Sequence, residues 1–210
     1  NTAWGETNGR PSSSADKLDA RSAADVAQRL VVSYDIQRNG NKAISFKWAN
    51  LSAATTTAAS ARMWLNKGLT GSALSIAGDS RGEDRLNFLR GDRTKEQRNG
   101  GTGATFRNRK SRQGDIVNSA IWYTGAPSNG HITTGYQSFA ASYRSRLPML
   151  YVGGNDGMLH GFSAVDGTEK IAYVPRGVLQ NIAKLSDRTD PIYNHQYYVD
   201  GSPFTGDVDI

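Results

Sequence analysis

The 210-residue chain contains no cysteine. Disulfides and zinc–thiolate centres are therefore excluded within it. It also lacks long apolar runs. None approaches the ~18 residues that a membrane-spanning helix requires, so no integral membrane helix is expected. The first residues are polar and show no signal peptide. A secreted protein read from beyond its signal, or a fragment, has the same appearance. Histidine is scarce: His131, His160 and His195 are the three. They form no HxH or HExxH spacing and read as scattered structural or surface residues, with His160 beside a turn and facing a neighbouring strand. No glycine-rich phosphate cradle follows a predicted strand. Gly71-Ser72 lacks the strand–turn–helix context of a nucleophile elbow. Nucleotide-dependent and serine-nucleophile enzymes are thus unsupported.

Glycine is abundant, at 23 residues against a hydrophobic content of 37%, a balance that favours a turn-rich β protein over a helical bundle. The net charge is +6. Much of it lies in Arg81, Arg85, Arg90, Arg93, Lys95, Arg98, Arg107, Arg109, Lys110 and Arg112. The acids Glu83, Asp84, Asp92 and Glu96 are interspersed, and no stacking-aromatic motif accompanies the run. It reads as a solvated loop with local ion pairs rather than a nucleic-acid site. Within it, Arg90-Gly91-Asp92 spells the integrin-recognition tripeptide, but Gly91 is read as a turn that buries Leu89.

The stretch over residues 147–175 organises the rest. Leu150, Tyr151 and Val152 form a β-rich run, and Asn155-Asp156-Gly157 supplies a hairpin turn. A return strand follows, with Met158, His160 and Phe162 on one face and Leu159 and Gly161 on the other. Asp166-Gly167 is a second turn, residues 170–174 a third strand, and Pro175 ends it. Such a meander is one blade of a β-propeller.

The remaining segments are read in order. Residues 1–14 are polar and Gly/Ser-rich, and the division expected is a linker or disordered lead-in over 1–22 followed by propeller blades over 23–210. Residues 16–29 have helical spacing. Strands are predicted over 30–36 and 43–48, joined at Asn39-Gly40-Asn41, as the first pieces of a blade. Asn50 or Ser52 is the expected cap of a helix through Trp64 that Gly68 or Gly71 ends, weakened by Thr55, Thr56 and Thr57. A helical turn over 78–88 buries Leu86, Phe88 and Leu89. Residues 99–105 form a flexible loop, 115–124 a strand, 125–135 a loop, 137–143 a short helix, and 176–186 a helix between blades. Extended structure returns over 193–199, and a new strand begins at Asp200. The openings at Asp115…Ser119 and Asp200-Gly201-Ser202, 85 residues apart, are read as inner strands of successive blades. Roughly two blades and the start of a third fall short of the about four to eight that close a propeller. A fragment completed by further blades is expected.

Candidate metal ligands are few. In Asn155-Asp156-Gly157 the two oxygen donors are adjacent, not alternate, so a turn is favoured over a calcium loop. Asp207 and Asp209 share a strand face, with Asp200 before them, but make no complete site. No catalytic, cofactor-binding or metal residue is assigned.

The run YVGGNDGMLHGFSAVDGTE, at 151–169, is similar to the repeat of quinone-type propellers. RLNFLRGD at 85–92, FRNRKSRQGDIVNS at 106–119, YYVDGSPFTGD at 197–207 and FKWANLSA at 46–53 narrow the match. In this order they resemble the C-terminal propeller of the PilC/PilY family of type IV pilus tip adhesins and biogenesis factors. The resemblance covers residues 23–210. It implies a mainly β fold, a partial β-propeller with helical insertions, and a non-enzymatic role in pilus biogenesis, twitching motility, adhesion and virulence. It further implies a secreted protein at the outer membrane or cell surface. The partners it implies are minor pilins of the tip complex, host or abiotic surfaces and the remaining blades of the same protein, with no nucleic acid. Calcium, bound in the family by a DxDxDGxxD loop, has no residue here to carry it. The loops over 125–135 and 187–195 are the expected contact surfaces. The alternatives are a quinone-dependent dehydrogenase blade and a periplasmic scaffold. Against the enzyme stand the missing adjacent cysteine pair and Lys170-Ile171 where a docking tryptophan belongs.

Overall fold

The computed structural model describes residues 6–7, 10–37, 42–53, 60–70, 73–74, 78–128, 130–188 and 193–207. The expected turn at Asn39-Gly40-Asn41, the threonines at 55–57, Gly71, part of the loop over 187–195 and Asp209 lie outside these residues. In chain order the elements are β1 (Glu6–Thr7), β2 (Arg10–Pro11), α1 (Ser14–Asp19), α2 (Ala23–Ala27), β3 (Val31–Tyr34) and β4 (Ala43–Ser45). Then come α3 (Ala61–Leu65), β5 (Leu69–Thr70), β6 (Ala73–Leu74), α4 (Gly82–Leu89), β7 (Trp122–Thr124) and α5 (Thr134–Ser142). The meander β8 (Met149–Gly154), β9 (Met158–Ser163) and β10 (Glu169–Val174) is followed by α6 (Leu179–Ile182).

Six strands make one mixed sheet in the order β4-β3-β10-β9-β8-β7. The meander β7 to β10 is antiparallel throughout. β3 joins its far edge in parallel, with Ala172 opposite Val31. The β3–β4 hairpin, expected as the first pieces of a blade, widens the sheet formed by the meander. The first turn is built as the sequence requires. Gly157 sits at φ 87°, and its N–H returns to Gly154 O at 3.2 Å. A Cβ on Gly157 would lie 2.9 Å from Ile182 Cδ1, so both backbone and packing select glycine.

One face of the sheet is sealed by α3, α4 and α6. Val31, Ile44, Phe46, Met158, Ala172 and Val174 meet Met63, Leu65, Leu86, Phe88, Leu179 and Ile182 in a single core. The buried side chains expected on α4, Leu86, Phe88 and Leu89, are in place. Ser60, not Asn50 or Ser52, caps α3, its hydroxyl accepting from Met63 N at 3.3 Å. Residues 16–29 give two helices because each of Ser13 and Ser22 forms a capping box, with Asp16 and Asp25 respectively. Within the expected lead-in, α1 buries Leu18 to 1% exposure. The helix expected over 176–186 is a 3-10 turn, the short α6 and a second 3-10 turn.

Beneath the hairpin lies a chain of buried charges. In β10 the register slips by one residue between Glu169 and Ile171, a bulge that re-aims Glu169 onto the face of His160. His160 is fully buried, with Nδ1 2.8 Å from Glu169 Oε1 and Nε2 3.0 Å from Asp156 Oδ2. Arg29, 3% exposed, grips the same Glu169 with Nε at 2.8 Å and Nη2 at 2.7 Å. Arg21 adds Nη2 to Glu169 O at 2.7 Å. Asp156 accepts from Gly114 N at 2.9 Å. Burial pushes the His160 pKa down, but the charge of Asp156 and the hydrogen bonds to both carboxylates outweigh it and raise it to about 9. Burial pushes Glu169 up, but His160 and Arg29 overcome it and hold the carboxyl at about 2.

Glu169→Gln leaves two guanidinium groups and an imidazolium short of their counter-charge. Removing one partner of a buried pair costs about 3–5 kcal/mol, and a denaturant-unfolding midpoint should fall accordingly. The pH dependence has two limbs. The His160 contribution is complete below its ordinary pKa of 6.5 and is lost as pH rises through about 9. That of Glu169 is complete above 4.5 and is lost as pH falls through about 2. Thermal unfolding should therefore peak between pH 4.5 and 6.5. His160→Gln should flatten the alkaline limb.

Candidate functional site

The region with an open, chemically varied surface is the edge of the blade at β7. The strand expected over 115–124 shortens to Trp122–Thr124, and residues 193–207 form no strand. The reason is visible in the hydrogen bonds. Backbone groups that would enter a ladder are taken by side chains: Asn118 N donates to Asp200 Oδ1 at 3.0 Å and Ala120 N to Ser202 Oγ at 2.9 Å. Ser119 Oγ donates to Gly201 O at 3.0 Å and accepts from Gly153 N at 2.9 Å. The two segments expected as inner strands thus lie side by side in parallel, offset by 82 residues. Farther along, Trp122 Nε1 donates to Thr205 Oγ1 at 2.9 Å, and Phe204 meets the Trp122 ring edge-on at 6.0 Å.

Next to this joint, a groove of about 270 Å³ is lined by Trp122 to Ser128, Arg146 and Thr205 to Asp207. Arg146 Nε holds Gly125 O at 2.7 Å, and Tyr136 donates to Asp207 Oδ2 at 2.9 Å. These contacts anchor α5 and the loop before it. His131, Tyr136, Phe139 and Tyr143 follow one another at centroid distances of 5.0, 5.8 and 4.9 Å. No residue of α5 is fully buried, and Ile132 in the loop is 88% exposed. In the second expected contact loop, His195 pairs with Asp115 at 2.8 Å. Burial raises the Asp115 pKa, but hydrogen bonds from Asn155 and His195 carry it below the usual carboxylate value.

Three arginines of the basic run are spent inside the molecule, where a solvated loop was expected, while Arg98 and Lys110 are exposed. Arg85, Arg90 and Arg109 are 4%, 4% and 7% exposed. Arg90 donates to Phe46 O, Ala27 O and Arg29 O at 2.9–3.2 Å, so the arginine of the Arg90-Gly91-Asp92 tripeptide is not displayed. Gly91, at φ 111°, makes the turn, and Leu89 is buried. Arg109 pairs with fully buried Glu96 at 2.9 Å and lies 3.7 Å over the Phe88 ring. Burial, only partly offset by Glu96, lowers its pKa to about 10. The expected local ion pairs do form, Arg85 with Asp79 and Arg109 with Glu96. A larger groove, about 660 Å³, runs between α2 and residues 90–94. Its Arg90 and Arg112 point their guanidinium groups at backbone carbonyls.

Both ring nitrogens of His160 face carboxylates, and the ring has no solvent access, so it has no proton to trade with a substrate. Among the described residues no three His, Asp or Glu side chains are placed to hold a metal ion. Asp156 serves the turn, its Oδ1 accepting from Met158 N at 3.2 Å, and Asp200 is engaged by Asn118. The sequence reading placed the loop over 125–135 but missed the pairing of Trp122 with Phe204. Its signal was the matching order of polar then aromatic residues in 118–124 and 200–205.

A family model described as PilY1 beta-propeller domain matches residues 113–210. The chain is 44% identical over 131 residues to a type IV pilus biogenesis factor PilY1 homolog of Xylella fastidiosa strain Temecula1, covering 59% of this chain and 10% of that protein. It is 41% identical over 139 residues to the type IV pilus biogenesis factor PilY1 of Pseudomonas aeruginosa strain PAK, covering 62% and 11%. Against the PilY1 of strain UCBPP-PA14 it is 29% identical over 214 residues, covering 99% of this chain and 17% of that protein. The chain thus spans about a tenth of the length of the first two relatives. No solved structure matches it. Residues 113–210, which hold the meander β7 to β10 and the run beside β7, belong to the PilY1 beta-propeller domain family.

Proposed function

We propose that the chain supplies a blade and contact loops to a non-enzymatic type IV pilus biogenesis and tip-adhesion factor at the cell surface. Its partners are minor pilins of the tip complex, host or abiotic surfaces, and further blades of the same propeller. The observation that carries this reading is the placement of residues 125–128, 130–133 and α5 at the open edge of a sheet whose sequence matches the PilY1 family. A stiff, charge-tied sheet holds the loop by Arg146 and leaves Ile132 in water. That is the arrangement by which rigid scaffolds present variable contacts. The names of the relatives, type IV pilus biogenesis factors, support the pilus reading. The calcium that the resemblance implies is assigned to none of the described residues, among which no three His, Asp or Glu side chains are grouped to hold an ion.

Deletion of the gene in its native bacterium should abolish surface pili and twitching, and the intact gene should restore both. Normal piliation after deletion would overturn the reading. An Ile132→Asp variant should still support piliation but weaken binding of a minor pilin or of a surface by roughly thirtyfold, the lower bound of a hot-spot truncation. Unchanged binding of both would remove this loop from the contact surface.

A further inference from the structure

The groove of about 660 Å³ between α2 and residues 90–94 gathers positive charge that the fold does not neutralise. Three arginines line it, Arg90, Arg93 and Arg112, against one acid, Asp92. Asp92 is turned to its own backbone, with Oδ1 accepting from Thr94 N at 2.7 Å. Among the described residues, Arg90 and Arg112 are held by carbonyl oxygens and form no ion pair. Arg112 spends Nε on Gly91 O at 2.9 Å, and Nη1 on Leu18 O at 3.2 Å and on Asp19 O. Arg93 spends Nη2 on Asp19 Oδ1 at 3.0 Å and on Lys110 O at 3.3 Å. Asp19 Oδ1 also accepts from Arg112 N at 2.7 Å, so one carboxylate locates both residues. Two nitrogens, Nη2 of Arg112 and Nη1 of Arg93, have no acceptor among the described residues and are not sealed from water. Burial, followed by the charge of Arg93, pushes the Arg112 pKa below the ordinary arginine value.

Cations that are fixed in place, partly desolvated and short of counter-charge favour an anionic ligand. Their ordering cost is met by the fold before binding, and each free guanidinium nitrogen can donate charge-assisted hydrogen bonds to a carboxylate. The shape of the groove narrows the class. Its volume falls within the roughly 300–1,000 Å³ of small-ligand sites and exceeds what a lone inorganic anion fills. The α2 wall is apolar and low, built from Ala23, Val26 and Ala27, so an extended main chain can approach it closely. At the end of α4 the exposed Asn87 has a side-chain amide with no partner among the described residues, and an amide can pair with both the N–H and the C=O of a peptide group. We infer that this groove binds an acidic peptide segment of a partner protein, with its carboxylates on Arg93 and Arg112 and its main chain along α2. The inference rests on the groove and not on the pilus role, so either can fail alone.

The probe is a capped peptide, acetyl-Glu-Ala-Glu-Leu-amide, titrated calorimetrically into the 210-residue chain at low salt. Binding should saturate with a Kd below about 1 mM and weaken as salt screens the charges. Replacing both glutamates of the probe by glutamine should cost at least about tenfold in affinity, the size of a hydrogen bond to a charged group. Arg93→Gln and Arg112→Met should each cost as much. Because Arg112 also ties α1 to Gly91, a third variant guards against loss of fold. Asn87→Glu, at an exposed position, adds a repelling charge to the groove and should weaken binding to a similar extent. Arg144→Gln removes one exposed positive charge outside the groove and should bind as the parent chain does. Failure of the parent chain to bind, equal affinity for the glutamine probe, unchanged affinity in Arg93→Gln and Asn87→Glu, or an equal loss in Arg144→Gln would each overturn the inference. So would inorganic phosphate binding as tightly as the peptide, because the groove would then be a general anion site.

Discussion

An imidazole clasped between two carboxylates fixes the geometry on which the rest of this structure depends. His160 lies on the central strand of the meander, Asp156 in the turn that precedes it and Glu169 on the strand that follows. One side chain thereby ties both ends of a hairpin to its neighbour. Arg29 and Arg21 extend the tie to the N-terminal helices, across 140 and 148 residues of sequence. Desolvating this many charges is costly, and only complete pairing offsets it. Each member has its partners: Arg29 also donates to Arg90 O at 2.6 Å, and Arg90 in turn binds Arg29 O and Ala27 O. The tie is thus continuous from the blade, through α2, to the turn after α4. A second knot of the same kind, Glu96 with Arg98 and Arg109, closes residues 93–109 on themselves.

The parts of the fold that were legible are those set by local chemistry. Asn155-Asp156-Gly157 and Asp166-Gly167 demand turns, and the alternation in residues 158–162 demands a strand with His160 and Met158 on one face. What could not be read was non-local. Nothing in Val31 to Tyr34 says that it will pair in parallel with β10 rather than open a separate blade. The bulge at Glu169 is likewise silent in sequence, and it alone decides that a carboxylate turns inward. The arginines misled for a related reason. A basic run looks solvated when its acceptors are carbonyls contributed by distant segments, such as Phe46 O and Leu65 O. The capping boxes at Ser13 and Ser22 were readable, and overlooking them merged two helices into one.

For the candidate site, the sequence placed the loop but not its support. The loop over 125–135 stands out by length and polarity. Its anchoring depends on Arg146, Tyr136 and Asp207, which converge only in the folded chain. In sequence, the paired openings at Asp115 and Asp200 read as inner strands of successive blades. The structure brings the two into contact, Ser119 bridging Gly201 and Gly153. One sheet therefore has a face sealed by the helices and an edge at β7, beside the run at 199–207, from which the exposed loop departs. This division of surfaces suits a propeller module tied together by buried charge.

The central claim is that His160 is held as a cation in the interior of the blade. Nitrogen NMR of the histidine ring in the intact chain at pH 7.5 tests it most directly. The account predicts that both His160 nitrogens carry slowly exchanging protons, with a titration midpoint near 9. A neutral ring with one bare nitrogen at that pH would contradict it, and the clasp between Asp156 and Glu169 would then not be what holds the hairpin.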